Sequence, residues 1–194
     1  VSSLPRRDEA DRPFLIAVDR AFSRPGFGTV VTGTSRSGVV AVSDELLIHH
    51  PQRPLASARV RGLELHGRAA PLAQDGQRVA LNLAGIGTDD VVRGDTVVAG
   101  EGVSGTNRFD ARVEVRPAAR RPVRSHDRVR LHLGTSERAA RLVWLGEVSS
   151  VAPKETALAQ IVLTDGSVVA VPGDRFVLRD ETGRRTVGGG SVLL

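Results

Sequence analysis

Short alternating runs of apolar residues fill almost the whole chain, and this pattern constrains the fold more than any other feature. Side chains of a β-strand alternate between its two faces, so a period of two indicates strands with one buried face. No stretch with helical periodicity and capping residues exceeds about ten residues. The sequence therefore predicts an all-β protein. The runs in the first half are "FLIAVDRAF", "GTVVTGT", "DELLIHH", "ASARVRGLELHG", "QRVALNLAG" and "DTVVAGE".

A turn-rich break divides the chain into two sets of runs. "EGVSGTN", from Glu101 to Asn107, is rich in residues that favour turns. Because closing a sheet into a barrel removes its exposed edges, we expect two consecutive β-barrels, over residues 12–103 and 104–194, after a linker over residues 1–11. The runs in the second half are "RFDARVEVR", "DRVRLHLGT", "ERAARLVWLGEV", "ALAQIVLTDGSVVAV", "GDRFVLRDE" and "RRTVGGGSVLL".

The charge of the chain is positive and comes almost entirely from arginine. The formal net charge is +5, and Lys154 is the lone lysine. Arginine presents a fixed fork of donors that matches phosphate oxygens, so a polyanionic partner is one interpretation; an arginine-biased genome with solvated side chains is the other. The lack of cysteine excludes disulfides and fits a cytoplasmic protein. No apolar run approaches the ~20 residues that cross a bilayer, so we expect no membrane partner.

The sequence patterns of common catalytic and cofactor sites are missing. No stretch has the phosphate-loop pattern of Gly, four residues, Gly-Lys and Ser or Thr. In "GFGTVVTG", Val31 stands where a dinucleotide fingerprint has its third glycine. His49 and His50 are neighbours on a predicted strand, so they point to opposite faces and do not favour a shared metal. We therefore expect a binding module without catalytic residues, metal or cofactor of its own.

Charged residues lie at the ends of two predicted strands of the first barrel. Asp19 and Arg20 close the run "FLIAV", and Arg78 opens the run "VALNL". If the larger apolar residues of that second run face the core, Arg78 points the other way. Strand ends can meet on the rim of a barrel. The residues alone allow two interpretations, a rim salt bridge worth ~0–1 kcal/mol or a ligand site.

Longer motifs resemble a known family. "RPFLIAVDRAFSRPGFGTVVTGTSRSGVVAVSDELLI", with "ARVRGLELHG", "DGQRVALNLAGI" and "VVRGDTVVAG", resembles the second domain of translational GTPases related to elongation factor Tu. "VDRAF", "VRGLELHG" and "GQRVALNL" are similar to selenocysteine-specific elongation factors in particular. "LHLGTSERAARLVWL", "ETALAQIVL" and "GDRFVLRDETGRRTVGGGSVL" resemble the third domain of those factors. The resemblance implies two barrels of the translation-factor type.

The resemblance also implies a site in the first barrel. In this family the second domain receives the aminoacyl end of the tRNA, and the matching positions are Asp19, Arg20 and Arg78. A selenol is far more acidic than a thiol, whose reference pKa is ~8.5, so selenocysteine is an anion at neutral pH whereas serine is neutral. Two guanidinium groups oriented by Asp19 would attract the selenolate. His66 is a further candidate for contact with the aminoacyl ester or the terminal adenosine.

The resemblance implies that the second barrel contacts the tRNA backbone. A-form RNA is recognised mainly by shape and phosphate contact. We expect Arg121, Arg124, Arg130 and His132 to make such contacts, and a solvated loop is the alternative. The basic residues of this region are Arg116, Arg120, Arg121, Arg124, His126, Arg128, Arg130 and His132.

The resemblance implies that a full-length factor contains more than this chain. We expect a preceding GTPase domain that binds GTP and Mg²⁺, and a following region that reads the selenocysteine-insertion mRNA hairpin. The implied partners are selenocysteinyl-tRNA and the ribosome, in the cytoplasm. The alternatives are the equivalent barrels of another translational GTPase or of a sulfate adenylyltransferase-type nucleotide enzyme, and a stand-alone RNA-binding β-barrel protein.

Overall fold

The computed structural model describes residues 12–100 and 103–193, and in these ranges nearly all regular structure is strand. The chain forms two compact units that divide between Val103 and Ser104. The predicted linker, residues 1–11, lies outside the described residues.

The first unit contains nine strands and one short 3₁₀ turn, Thr88–Asp90. Six of the strands form a closed ring in the order β4-β9-β1-β2-β8-β5, which β4 and β5 complete by pairing with each other. β6 pairs with β5 beside the ring, and β3 pairs with β7. The strands are β1 (Phe14–Arg24), β2 (Gly28–Ser37), β3 (Val39–Ala41), β4 (Glu45–His49), β5 (Ala56–Leu65), β6 (Arg68–Ala69), β7 (Leu72–Gln74), β8 (Arg78–Ala84) and β9 (Thr96–Ala99).

The core of the first barrel follows the alternation of the sequence. In β8 the buried residues are Val79, Leu81 and Leu83, and the intervening residues are half-buried, as a strand with one face on the core requires. Gly33 of β2 lies close against the backbone of β1. A Cβ atom there would lie 2.2 Å from the carbonyl oxygen of Ala17, so only glycine fits this position of "VVTGT".

The second unit contains eight strands, six of which form a closed barrel in the order β10-β15-β13-β12-β16-β17. β11 and β14 pair with each other as a separate two-stranded ribbon. The strands are β10 (Arg108–Val115), β11 (Val123–Arg124), β12 (Arg128–Leu133), β13 (Ser136–Trp144), β14 (Ser150–Val151), β15 (Thr156–Leu163), β16 (Arg175–Asp180) and β17 (Thr186–Val192). The prediction of an all-β protein with two consecutive barrels is thus confirmed.

Aromatic residues anchor the core of the second barrel. The rings of Phe109 and Phe176 meet edge to face with their centroids 5.7 Å apart. The buried Trp144 indole donates a hydrogen bond of 2.8 Å to the carbonyl oxygen of Val123, which ties the β11–β14 ribbon to the barrel. The indole nitrogen of Trp144 is therefore buried with its hydrogen bond satisfied.

One predicted run of the second half is interrupted. "ALAQIVLTDGSVVAV" reads as continuous strand, but β15 ends at Leu163. Gly166 has a φ of +127°, and the Asp165 carboxylate accepts a hydrogen bond of 3.0 Å from the backbone of Ala139. The chain therefore turns away from the sheet at this point. Val168 and Val169 stay buried, and only an isolated bridge from Val168 to Thr106 continues the pairing.

Candidate functional site

A β-bulge in β1 creates the charged cluster of the first barrel. Val18 pairs with Gly33 and Arg20 pairs with Thr32, so Asp19 is an extra residue between two registered pairs. A bulge redirects the side chains of a strand. Here it places both Asp19 and Arg20 beside Thr32 of β2, at the point where the buried half of β1 gives way to its exposed half.

Asp19 is held through both of its carboxylate oxygens. The Thr32 hydroxyl donates a hydrogen bond of 2.6 Å to Oδ1, and the Arg78 guanidinium donates to Oδ2 in an ion pair. Arg78 reaches Asp19 because it begins β8, which pairs with β2 next to Thr32. The structure thus brings together Asp19 and Arg78, which are 59 positions apart in the sequence.

The pKa of the Asp19 carboxyl lies below its ordinary value. Partial burial alone would raise this pKa, but the hydrogen bonds from Arg78 and Thr32 and the positive charges of Arg78 and Arg20 outweigh the effect of burial. Asp19 is therefore ionised at neutral pH and balances one of the two arginines. The cluster keeps one positive charge in excess.

Arg20 is the arginine that supplies this excess charge. Its side chain is exposed, and within the described part of the chain it makes no hydrogen bond or ion pair. The two arginines of the cluster are thus not equivalent. Arg78 is neutralised by a carboxylate, whereas Arg20 faces solvent beside it.

His66 lies in the turn between β5 and β6. Both His66 and Gly67 have positive φ, +51° and +77°, as in the two-residue turns that join antiparallel strands. His66 is exposed, and its side chain forms no hydrogen bond with Asp19, Arg20 or Arg78. Its neighbour Leu65 pairs with Val79, so the turn lies near the start of β8.

Thr32 is the part of the cluster that the sequence did not point to. It belongs to the run "GTVVTGT", whose alternation shows an outward-facing side chain but not its partner. Thr32 meets its partner Asp19 because of the β-bulge at Asp19, and no pattern in the sequence predicts that bulge.

Three arginines of the second barrel form ion pairs with carboxylates. Arg121 lies 2.7 Å from Asp127, Arg128 lies 3.1 Å from Glu181, and Arg130 lies 3.7 Å from Glu137. The pKa of Asp127 lies below its ordinary value, since hydrogen bonds from Arg121 and the Arg124 backbone outweigh the effect of burial. These pairs fix the arginine side chains but leave them on the surface, where a polyanion can still reach them.

A pocket of about 470 Å³ lies beside the Arg121–Asp127 and Arg128–Glu181 ion pairs. Its apolar side is formed by the buried Val123 and Val129 together with Val187, and its rim carries the charged side chains. The charged residues at the rim are Arg120, Arg121, Asp127, Arg128, Asp180, Glu181 and Arg185. Arg121 lies at this rim, whereas Arg124, Arg130 and His132 do not line the pocket.

His132 and Arg130 lie on the outer face of β12. His132 pairs with Glu137 of β13 and Val177 of β16, and its Nε2 is enclosed without a hydrogen-bond partner among residues 12–100 and 103–193. Arg124 lies in β11, away from that strand. Of the four basic residues predicted to contact RNA, Arg130 and His132 share β12, whereas Arg124 lies in β11 and Arg121 precedes that strand.

Two family models match the chain, one for each barrel. The model "Elongation factor Tu domain 2" matches residues 28–98. The model "Selenocysteine-specific elongation factor, beta-barrel domain" matches residues 110–194. The selenocysteine-specific elongation factor of Desulfomicrobium baculatum is 31% identical over 194 residues, which is all of this chain and 30% of that protein.

The chain is similar to selenocysteine-specific elongation factors along its whole length.

Two further relatives match over most of this chain. The selenocysteine-specific elongation factor of Escherichia coli is 33% identical over 193 residues, 98% of this chain and 29% of that protein. Elongation factor Tu 2 of Streptomyces avermitilis is 36% identical over 186 residues, 94% of this chain and 46% of that protein. The first-barrel cluster and the second barrel thus belong to a segment that spans about 30% of the length of the selenocysteine-specific factors it matches.

Among the described residues, no helix is long and apolar enough to span a membrane. Within residues 12–100 and 103–193, no group of three or more His, Cys, Asp or Glu side chains lies close enough together to hold a metal ion.

Proposed function

We propose that this chain is the part of a selenocysteine-specific elongation factor that receives the aminoacyl end of selenocysteinyl-tRNA for delivery to the ribosome and UGA recoding. The cluster of Asp19, Arg20 and Arg78 forms the selenocysteyl site. The observation that supports this most is that Arg20, beside the Asp19–Arg78 ion pair, has no side-chain partner among residues 12–100 and 103–193. One positive charge in excess suits one negative charge on the ligand.

The charge of the ligand is the basis of the proposed selectivity. Selenocysteine carries an anionic side chain at neutral pH, because a selenol is more acidic than a thiol, and serine carries a neutral hydroxyl. A guanidinium donates stronger hydrogen bonds to an anion than to a hydroxyl. A site that leaves a charged group unpaired when the wrong ligand binds can discriminate by ~10⁴-fold, far more than a difference in size provides.

The second barrel provides the proposed contact with the tRNA backbone. Arg121, Arg124, Arg130 and His132 are its candidate residues. Arg121 and Arg130 already have carboxylate partners, so phosphates would share or replace those partners. Such contacts position the RNA without reading its sequence.

The remaining activities are proposed for the full-length factor. GTP and Mg²⁺ would bind in a GTPase domain, and the mRNA hairpin would bind to a further C-terminal region. We assign no step through GTP or Mg²⁺ to residues of this chain, which bind and orient rather than catalyse in this proposal. The factor would act in the cytoplasm.

The decisive experiment compares two tRNAs. Binding of selenocysteinyl-tRNA and seryl-tRNA to the full-length factor with GTP is measured for wild type, for Arg20→Ala with Arg78→Ala, and for Arg59→Ala. Arg59 is an exposed arginine of the same barrel beside Glu45, so its loss removes a charge away from the cluster. We expect the double variant to lose about a hundredfold or more in discrimination, since a hydrogen bond to a charged group contributes ~1.5–3 kcal/mol.

The controls separate the alternatives. Arg59→Ala is expected to discriminate like wild type. An equal loss of affinity for both tRNAs in the double variant would exclude a selenolate site. If wild type itself does not discriminate, the chain serves another translational GTPase or a nucleotide enzyme, which the 36% identity to an elongation factor Tu leaves open.

A further inference from the structure

A row of three polar residues crosses the outer face of the second barrel. Ser191 of β17 pairs with Arg112 of β10 on one side and with Arg175 of β16 on the other. Neighbouring strands lie about 4.8 Å apart, so the two arginine backbones lie roughly 10 Å apart with a serine between them. Side chains directly opposite one another across strands share a face of the sheet. Two guanidinium groups and a hydroxyl therefore lie side by side.

None of the three side chains has a hydrogen-bond or ion-pair partner among the residues that the structure describes. Arg112 and Arg175 are exposed, and within the described part of the chain neither forms an ion pair or hydrogen bond through its side chain. The Ser191 hydroxyl forms no hydrogen bond with residues 12–100 or 103–193 either. Arg121, Arg128 and Arg130 of the same barrel each have a carboxylate within 4 Å, at 2.7, 3.1 and 3.7 Å. The row thus differs from these three arginines of the same barrel, which are paired with carboxylates.

The row lies in a groove of about 680 Å³. Three arginines line it, Arg112, Arg116 and Arg175, against the single carboxylate of Glu114. Glu114 pairs with Gly189, one outward position along β10 from Arg112, so an anion is favoured at the Ser191 end of the groove. The hydroxyls of Thr156 and Thr186 add donors to its walls.

The glycines beneath the groove are required by the packing of the strands, independently of any ligand. A Cβ atom on Gly190 would lie 1.9 Å from the carbonyl oxygen of Arg112, and one on Gly189 would lie 2.7 Å from that of Phe176. The close approach of the strands therefore requires glycine in "VGGGSV". A side effect is that no side chain at position 189 fills the space between Glu114 and Val177.

We propose that Arg112, Ser191 and Arg175 form a binding site for a phosphate group. Each guanidinium presents two parallel donors that match two phosphate oxygens, and the serine hydroxyl donates to an oxygen between them. A phosphate offers more oxygens than a carboxylate and can use all three residues at once. The phosphate belongs either to an RNA backbone or to a free phosphate compound. This site is independent of the Asp19 cluster.

The first test uses pyrophosphate as the probe. Its binding to the chain is followed by calorimetry and ³¹P NMR for wild type, Arg112→Gln, Arg175→Gln and Ser191→Ala. The matched control is Arg108→Gln, which removes an exposed arginine from the same strand outside the groove. We expect each arginine variant in the row to weaken binding by about tenfold or more, and the control to change it by less than about twofold, because a charge-assisted hydrogen bond contributes ~1.5–3 kcal/mol.

A second variant separates hydrogen bonding from charge. Arg175→Lys keeps the positive charge and loses the planar fork, so we expect it to bind pyrophosphate more weakly than wild type. All these side chains lie on the surface, and an unchanged far-UV spectrum verifies the fold of each variant. Equal weakening by Arg108→Gln and by the row variants, equally tight binding of citrate, or no saturable binding of pyrophosphate would overturn the proposal.

A titration with RNA identifies the source of the phosphate. A 12-base-pair RNA duplex is titrated at several salt concentrations with the same variants. If the RNA backbone is the source, Arg112→Gln and Arg175→Gln lower the salt slope by about one each relative to Arg108→Gln. If the row variants weaken the binding of pyrophosphate and leave the binding of RNA unchanged, the site takes a free phosphate compound. If the full-length factor binds pyrophosphate tightly and still discriminates between selenocysteinyl-tRNA and seryl-tRNA as it does without pyrophosphate, the row and the Asp19 cluster act separately.

Discussion

Thr32 fixes one oxygen of the Asp19 carboxylate so that the other faces Arg78. Thr32→Val removes the hydroxyl and keeps the shape of the side chain. In the full-length factor we expect it to lower discrimination between selenocysteinyl- and seryl-tRNA by about tenfold, because the lost hydrogen bond is to a charged group, whereas Thr32→Ser retains it. Thr34→Val is the control, since Thr34 pairs with Arg78 without bonding to Asp19. An equal loss from Thr34→Val would contradict a role for the hydroxyl.

Asp19 also makes the stability of the first barrel depend on pH. Its pKa is lower in the folded protein than the ~3.9 of an unfolded chain, so its contribution to stability is present above about pH 4 and is lost as the pH falls toward the folded pKa. We expect the difference in unfolding free energy between wild type and Asp19→Asn to shrink between about pH 5 and pH 3, as measured by urea denaturation. A difference that stays constant over this range would show that Asp19 titrates normally.

At the scale of strands, the sequence predicted what depends on alternation and missed what depends on contacts between strands. The buried residues of β8 follow directly from "VALNL", because a strand with one face on the core must alternate. The early end of β15 depends on the +127° φ of Gly166, and a glycine between apolar residues can equally stay in a strand. The partners of Asp19 depend on a bulge, which needs two strands in register before it exists.

At the scale of the whole molecule, each barrel has its own closed ring of strands and its own hydrophobic core. Damage to one ring should therefore destabilise that barrel selectively. Gly33→Ala places a Cβ atom 2.2 Å from the Ala17 carbonyl oxygen in the first barrel, and Gly190→Ala places one 1.9 Å from that of Arg112 in the second. Gly62→Ala is the control, since its Cβ atom would meet nothing closer than 4.0 Å.

We expect Gly33→Ala to cost about 1–3 kcal/mol, the usual penalty for overpacking, because the backbone must move to admit the methyl group. Hydrogen exchange of backbone amides is the measurement, since it reports opening region by region. Gly33→Ala should speed exchange in residues 14–99 and leave residues 108–192 at the wild-type rate, and Gly190→Ala should do the reverse. Faster exchange in both barrels from either variant would mean that the two cores open as one cooperative unit. If Gly62→Ala speeds exchange as much as Gly33→Ala, the close approach at Gly33 is not the cause of the destabilisation.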